Sequence, residues 1–138
     1  MTDAQVAVRP LPLADNLSET YWRAAADGRL LIQECRLCGE RQFYPRLICT
    51  ACGAEPSWLE AGGRGRVYTY TVIRQNHATP FNDLVPYVVA MIELEEGPLM
   101  MGNLTGLAPE DVHIGQDVQV YFEPVEDGLA VPFWQPAT

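Results

Sequence analysis

Cys35-Arg36-Leu37-Cys38-Gly39 and Cys49-Thr50-Ala51-Cys52-Gly53 decide how the first half of this chain folds, and between them they hold all 4 of its cysteines. Two thiolates at i and i+3 reach one ion only where the backbone doubles back, and a glycine after each pair supplies the left-handed conformation that turns amides toward the sulfurs. Four thiolates leave no open coordination position. The pattern therefore predicts one structural Zn²⁺ ion held by Cys35, Cys38, Cys49 and Cys52, in a closed site that activates no water. Two disulfides or a CxxC redox pair are the alternatives for such cysteines, and the doubled hook with its two glycines favours the metal. Structural zinc sites contribute about 10–16 kcal/mol of apparent binding free energy, so loss of the ion is expected to unfold at least this segment.

Outward from the hooks, Leu30-Leu31-Ile32-Gln33-Glu34 reads as a strand entering the first and Gln42-Phe43-Tyr44-Pro45 as a strand between the two, which is zinc-ribbon order. Upstream, Ser18 to Gly28 reads as a short helix capped by Ser18, favoured by three alanines and stopped by Gly28. Leu17, Tyr21 and Trp22 share one side of it and are expected to pack on the ribbon, the alternative being an exposed anchor for another chain. Residues 1–15, with Pro10 and Pro12, read as an extended arm. Gly62-Gly63-Arg64-Gly65 reads as a hinge, which divides the chain into an arm, helix and ribbon at 1–61 and a second unit at 62–138.

Beyond that point the hydrophobic period changes to two. Val67 to Ile73, Tyr87 to Leu94, Leu99 to Leu104, Val118 to Phe122 and Leu129 to Trp134 read as five strands, with one helical turn started by Pro109 after the third. This is the count of a small OB-type barrel. The fold class expected is thus mainly β: an N-terminal helical arm and rubredoxin-like zinc ribbon followed by a five-stranded OB-fold.

The net charge of −9 is unevenly spread: from Gln75 to Thr138 there are ten Asp or Glu and no Lys or Arg. Such a surface repels nucleic acid, whose binding needs clustered cations. All 9 cations are arginines, six before position 60 and the others Arg64, Arg66 and Arg74. The chain opens without a basic segment followed by an apolar run and has no stretch of about 18 apolar residues, so a cytoplasmic protein without membrane contact is expected.

No nucleophile with a neighbouring base is visible. His77 and His113 stand alone in sequence, no fifth cysteine remains for thiol chemistry, and Gly62 to Gly65 lacks the lysine of a phosphate loop. The long segment His77 to Pro86 joins the first two barrel strands, where barrels of this type bind ligands, and its Phe81 and Leu84 either tuck under the barrel or form a docking surface.

With these residues in view, the chain resembles a family of small zinc-ribbon and OB-fold proteins found with acyl-CoA enzymes of the thiolase superfamily. The resemblance rests on Tyr21-Trp22 with Gly28-Arg29-Leu30, the cysteine hooks, Tyr44-Pro45-Arg46, Gly63 to Tyr70, Pro86 to Ala90 and Leu94 to Gly97. It implies a non-catalytic accessory subunit in a hetero-oligomer with a thiolase, an acyltransferase or a lipid-transfer-type retro-aldolase acting on fatty, aromatic or steroid side chains. The acyl-CoA would be shared with that partner, and Tyr21, Trp22, Tyr44, Arg46, Arg64 and Phe81 are the residues expected near the partner or the CoA path. The other readings are a single-stranded nucleic-acid-binding module, which the acidic barrel disfavours, and a stand-alone acyl-CoA thioesterase, for which no base and nucleophile are seen.

Overall fold

The computed structural model describes residues 10–138, so the first nine residues of the expected arm lie outside the described residues. Helix α1 (Glu19–Ala26) is followed by three short strands, β1 (Leu31–Cys35), β2 (Arg41–Gln42) and β3 (Pro56–Glu60). Five longer ones come next: β4 (Arg64–Ile73), β5 (Tyr87–Leu94), β6 (Leu99–Leu104), β7 (Asp117–Glu126) and β8 (Leu129–Pro136).

The start of α1 departs from expectation. Ser18 stands at the N-cap but its side chain bonds no helix amide. Its hydroxyl instead donates to Asp15 Oδ1 (2.8 Å), which also accepts the amides of Ser18 (2.7 Å) and Leu17 (3.1 Å). These bonds, the Ser18 amide first, hold the Asp15 carboxyl below its ordinary pKa. A carboxylate two residues before an amide closes a turn more firmly than a hydroxyl does, so Asp15 takes the capping role. The expected packing of the helix stripe on the zinc ribbon is also corrected. Tyr21, Ala24 and Ala25 are buried, and α1 lies mainly against β8, meeting β1 and β7 less. Toward the ribbon the Tyr21 ring lies 5.5 Å from Phe43.

In the ribbon, β1 is central, paired antiparallel with β2 (Gln33↔Gln42) and with β3 (Leu31↔Glu60 through Cys35↔Pro56). The strand expected over 42–45 is only Arg41–Gln42: Phe43 turns to Tyr21 and Pro45 has no amide proton to give a ladder. The third strand, β3, was missed by period counting because Pro56 opens it.

The five later strands close into a barrel in the order β4-β5-β6-β8-β7. Closure comes from antiparallel β4–β7 pairing (Gly65↔Val118) and a parallel contact of β6 with β8 (Leu104↔Trp134). A 3-10 turn at Pro109–Asp111 follows the third barrel strand, so the five strands and the helical turn after the third, expected from the sequence, are observed as an OB-type barrel. The inside alternates as a pleated strand requires, with Val88, Ala90, Ile92 and Leu94 of β5 around a fully buried Trp134.

The Gly62 to Gly65 run, expected as a hinge, is held on several sides. The Gly63 carbonyl accepts the Val120 amide (2.8 Å), the Gly62 amide donates to Glu96 Oε2 (2.9 Å), and Gly65 sits in β4 between Leu94 and Val118. Arg41 of the ribbon donates to the Glu96 carbonyl (3.4 Å), so one hairpin turn clasps both the linker and the ribbon. Among the described residues no helix is long and apolar enough to cross a membrane. A Cβ at Gly65 would lie 2.6 Å from the Glu93 carbonyl oxygen, whereas one at Gly62 would be 3.7 Å from its nearest neighbour. Gly65→Ala is therefore expected to cost about 1–3 kcal/mol in denaturant unfolding, while Gly62→Ala stays within about 0.5 kcal/mol of the parent.

Candidate metal centre and apolar cleft

The two hooks are built alike. In each, the cysteine amide donates to a carbonyl five residues on, Cys35 to Glu40 (2.8 Å) and Cys49 to Ala54 (2.7 Å). The glycine amide then returns to the cysteine carbonyl at 2.9 Å in both. Gly39 and Gly53 hold φ of 80° and 82°, the left-handed conformation that the turn requires. All four sulfurs lie within 4.8 Å of one another, Cys35 Sγ 3.5 Å from Cys52 Sγ and Cys38 Sγ 3.6 Å from Cys49 Sγ. A tetrahedral ion with Zn–S of about 2.3 Å places its sulfurs about 3.8 Å apart, so the separations and the all-thiolate donor set fit one zinc ion.

The electrostatics also ask for a cation. The Cys38 amide above all draws the Cys35 thiol down to about 6. Cys38 is pushed up to about 12: the Glu40 amide lowers it, but desolvation and the sulfurs of Cys49, Cys52 and Cys35 prevail. Sulfurs this close raise the cost of ionising one another, and a divalent ion removes that conflict.

Two residues that sequence reasoning passed over hold the approach to the second hook. Gln33 and Gln42 are buried, and Gln42 Nε2 donates to Gln33 Oε1 (2.7 Å). Gln33 then takes both backbone groups of Arg46 (2.8 and 3.0 Å), and Gln42 takes the Ile48 carbonyl (3.2 Å) and the Thr50 amide (3.0 Å). The available signal was a polar residue, Gln33, directly after the apolar run Leu30 to Ile32 on a short strand. Each purified chain is expected to carry one zinc by elemental analysis, released on acidification as protons compete for the sulfurs. A folded ribbon without metal would contradict the assignment. Gln33→Ala, by removing the partner of two part-buried Arg46 backbone groups and of the buried Gln42 amide, is expected to lower stability by about 1–3 kcal/mol with zinc retained.

A cleft of about 810 Å³ lies between three parts of the molecule. Helix α1 contributes Tyr21 and Trp22, the ribbon contributes Phe43 to Pro45, and the loop after β4 contributes Phe81 and Leu84. Its floor includes Tyr87, Asn103, Thr105, Tyr121, Glu123 and Phe133 from β5 to β8 and the end of β6. Burial, and then nearby Tyr44, raise the Tyr21 phenol well above its ordinary pKa. The structure thus brings Tyr21, Trp22, Tyr44 and Phe81 together at one cleft. Arg46 is exposed beyond Pro45 and outside the lining. Arg64 lies along a separate polar groove with Arg66, which pairs with Glu93 at 3.1 Å. The floor residues were missed because the outer face of a barrel strand reads in sequence as a solvent face. No histidine lines the cleft, and His77 and His113 are exposed. Ser18 does line it, but its hydroxyl is engaged by Asp15.

Residues 22–57 match the family described as the ChsH2 rubredoxin-like zinc ribbon domain, and residues 58–123 match the ChsH2 C-terminal OB-fold domain. A DUF35 domain-containing scaffold protein of Methanocaldococcus jannaschii is 38% identical over 84% of this chain and 84% of its own length. A probable enoyl-CoA hydratase alpha subunit of Thermomonospora curvata is 35% identical over 95% of this chain, which spans only 41% of that relative. Among solved structures, a chain of an Ltp2-ChsH2(DUF35) aldolase superposes with a TM-score of 0.82 at 34% identity, over 92% of this chain and 99% of that one. The cysteine hooks, the ribbon, the barrel and these likenesses together establish that the chain belongs to the DUF35 family, with ChsH2-type zinc-ribbon and OB-fold domains.

Proposed function

We propose that this chain is a non-catalytic accessory subunit of a thiolase-superfamily acyl-CoA enzyme, such as a thiolase, an acyltransferase or a lipid-transfer-type retro-aldolase, and that its cleft forms part of the acyl-CoA path. The observation that carries this reading is the 34% identity, over nearly the whole of both chains, to a chain solved within an aldolase. The site chemistry supports it. The metal centre has four thiolate ligands to fill a tetrahedral ion, the cleft is walled by aromatic and aliphatic side chains, and among the described residues no nucleophile and base converge there. Such a cleft holds and shields a substrate whose reaction is run by other residues. Hydration belongs to the longer relative and is not assigned to this chain.

An acyl thioester of CoA is apolar at one end and triply phosphorylated at the other. Tyr21, Trp22, Tyr44 and Phe81 suit the acyl and pantetheine end, while the cations Arg46 and Arg64, which lie off the cleft, are the candidates for the nucleotide phosphates. Exposed Leu37 and Leu47 on the ribbon supply apolar surface for the partner. The absence of any Lys or Arg from Gln75 to Thr138 argues against a nucleic-acid role.

Co-expression with a thiolase-like protein from the same genome, followed by size exclusion and an acyl-CoA cleavage assay, tests the assignment. Co-elution is expected, with cleavage requiring both chains; separate elution with a fully active partner would refute it. Within the complex, Trp22→Ala and Phe81→Ala are each expected to weaken acyl-CoA binding about 10-fold or more through lost apolar burial, while Arg46→Ala weakens CoA esters but not acyl-pantetheines.

A further inference from the structure

Strand β7 presents Tyr121 and Glu123 on the same face, because side chains two apart share a face, and both line the cleft. The Tyr121 hydroxyl lies 2.6 Å from Thr105 Oγ1, and Thr105 Oγ1 donates to the Trp134 carbonyl at 3.2 Å. A threonine hydroxyl has one proton. Both contacts are hydrogen bonds at once only when Thr105 gives its proton to Trp134 and Tyr121 gives its own to Thr105, the arrangement adopted here because a phenol is the more acidic hydroxyl; the phenol oxygen then keeps lone pairs and has nothing to donate. The ring is fixed as well, stacked on Phe133 with centroids 5.8 Å apart. Glu123 beside it, when ionised, is likewise an acceptor only. Among the described residues no Arg, Lys or His side chain lines the cleft.

We infer that Tyr121 is a specificity-determining residue of the cleft, which takes uncharged ligands that give it a hydrogen bond and disfavours ligands without a donor or with a carboxylate. This rests on the reading of the cleft as an acyl-CoA path. Two parts of such a substrate carry an uncharged donor: a hydroxyl on the acyl group, and the amide N–H groups of pantetheine. The shared chemistry is the donor; the two sources are separable by experiment.

Two pairs of isomeric probes make the test, each pair differing in the presence of one donor. 1-Undecanol is compared with decyl methyl ether, and N-ethyldecanamide with N,N-dimethyldecanamide. Binding to the zinc-loaded full chain is followed through tryptophan emission, Trp22 being the indole on the cleft wall. The parent protein is expected to prefer the donor of at least one pair by about 3- to 10-fold, the range of one neutral hydrogen bond. Preference in the alcohol pair points to an acyl hydroxyl, and in the amide pair to pantetheine. Tyr121→Phe, which keeps the stacking ring, should equalise that pair. Thr105→Val frees the Tyr121 proton to point into the cleft and should erase or reverse the preference. Equal binding within both pairs by the parent, or a preference that survives Tyr121→Phe, would overturn the inference while leaving the acyl path intact. Failure of all four probes to bind would remove both.

Discussion

Four sulfurs gathered within 4.8 Å are the constraint on which the N-terminal half depends. The ribbon sheet has two strands of five residues and one of two, too little to bury a core of its own. What it lacks in burial it gains from metal ligation, because four thiolates cannot share so small a volume without a cation between them. The buried Gln33–Gln42 pair extends the constraint, tying residues 46–50 to the sheet so that the second hook is presented in register with the first.

The same constraint reaches the cleft. Phe43, Tyr44 and Pro45 leave the ribbon between the hooks and become one wall, while α1, lying on β8, supplies another. The Glu96 turn, bonded both to Arg41 and to Gly62, fixes the ribbon against the barrel that forms the floor. A cleft shared by three segments is only as well formed as their mutual placement, and here that placement passes through the metal-held sheet. Charge is sorted along the same lines: the barrel floor brings one carboxylate and no cation, and Arg64 and Arg66 stand at a different groove.

Much of this was legible in the residues. Cysteine spacing carries the metal centre because ligand chemistry is local: each hook is one turn of backbone with a glycine in left-handed conformation. The barrel strands carry a period of two, so their number emerges without a partner strand being known. Where local signals compete, sequence reasoning failed. Asp15 displaced Ser18 as the cap, and Phe43 left its strand for an aromatic contact with Tyr21. Gly62 to Gly65 read as loose because glycine permits motion, yet close packing of Gly65 against Glu93 requires glycine for its small size.

The sequence by itself determined the zinc ligands, the ribbon followed by a five-stranded OB-type unit, and the acidic stretch without cations from Gln75 to Thr138, since each follows from spacing, periodicity or composition. Only the tertiary structure decided that Tyr21, Trp22, Tyr44 and Phe81 meet at one cleft with Tyr121 on its floor, and that Arg46 and Arg64 stay off its walls. The physical reason is that outward-facing positions of a strand carry no mark of whether water or another segment will cover them. Which it is depends on barrel closure and on where α1 and the ribbon come to rest.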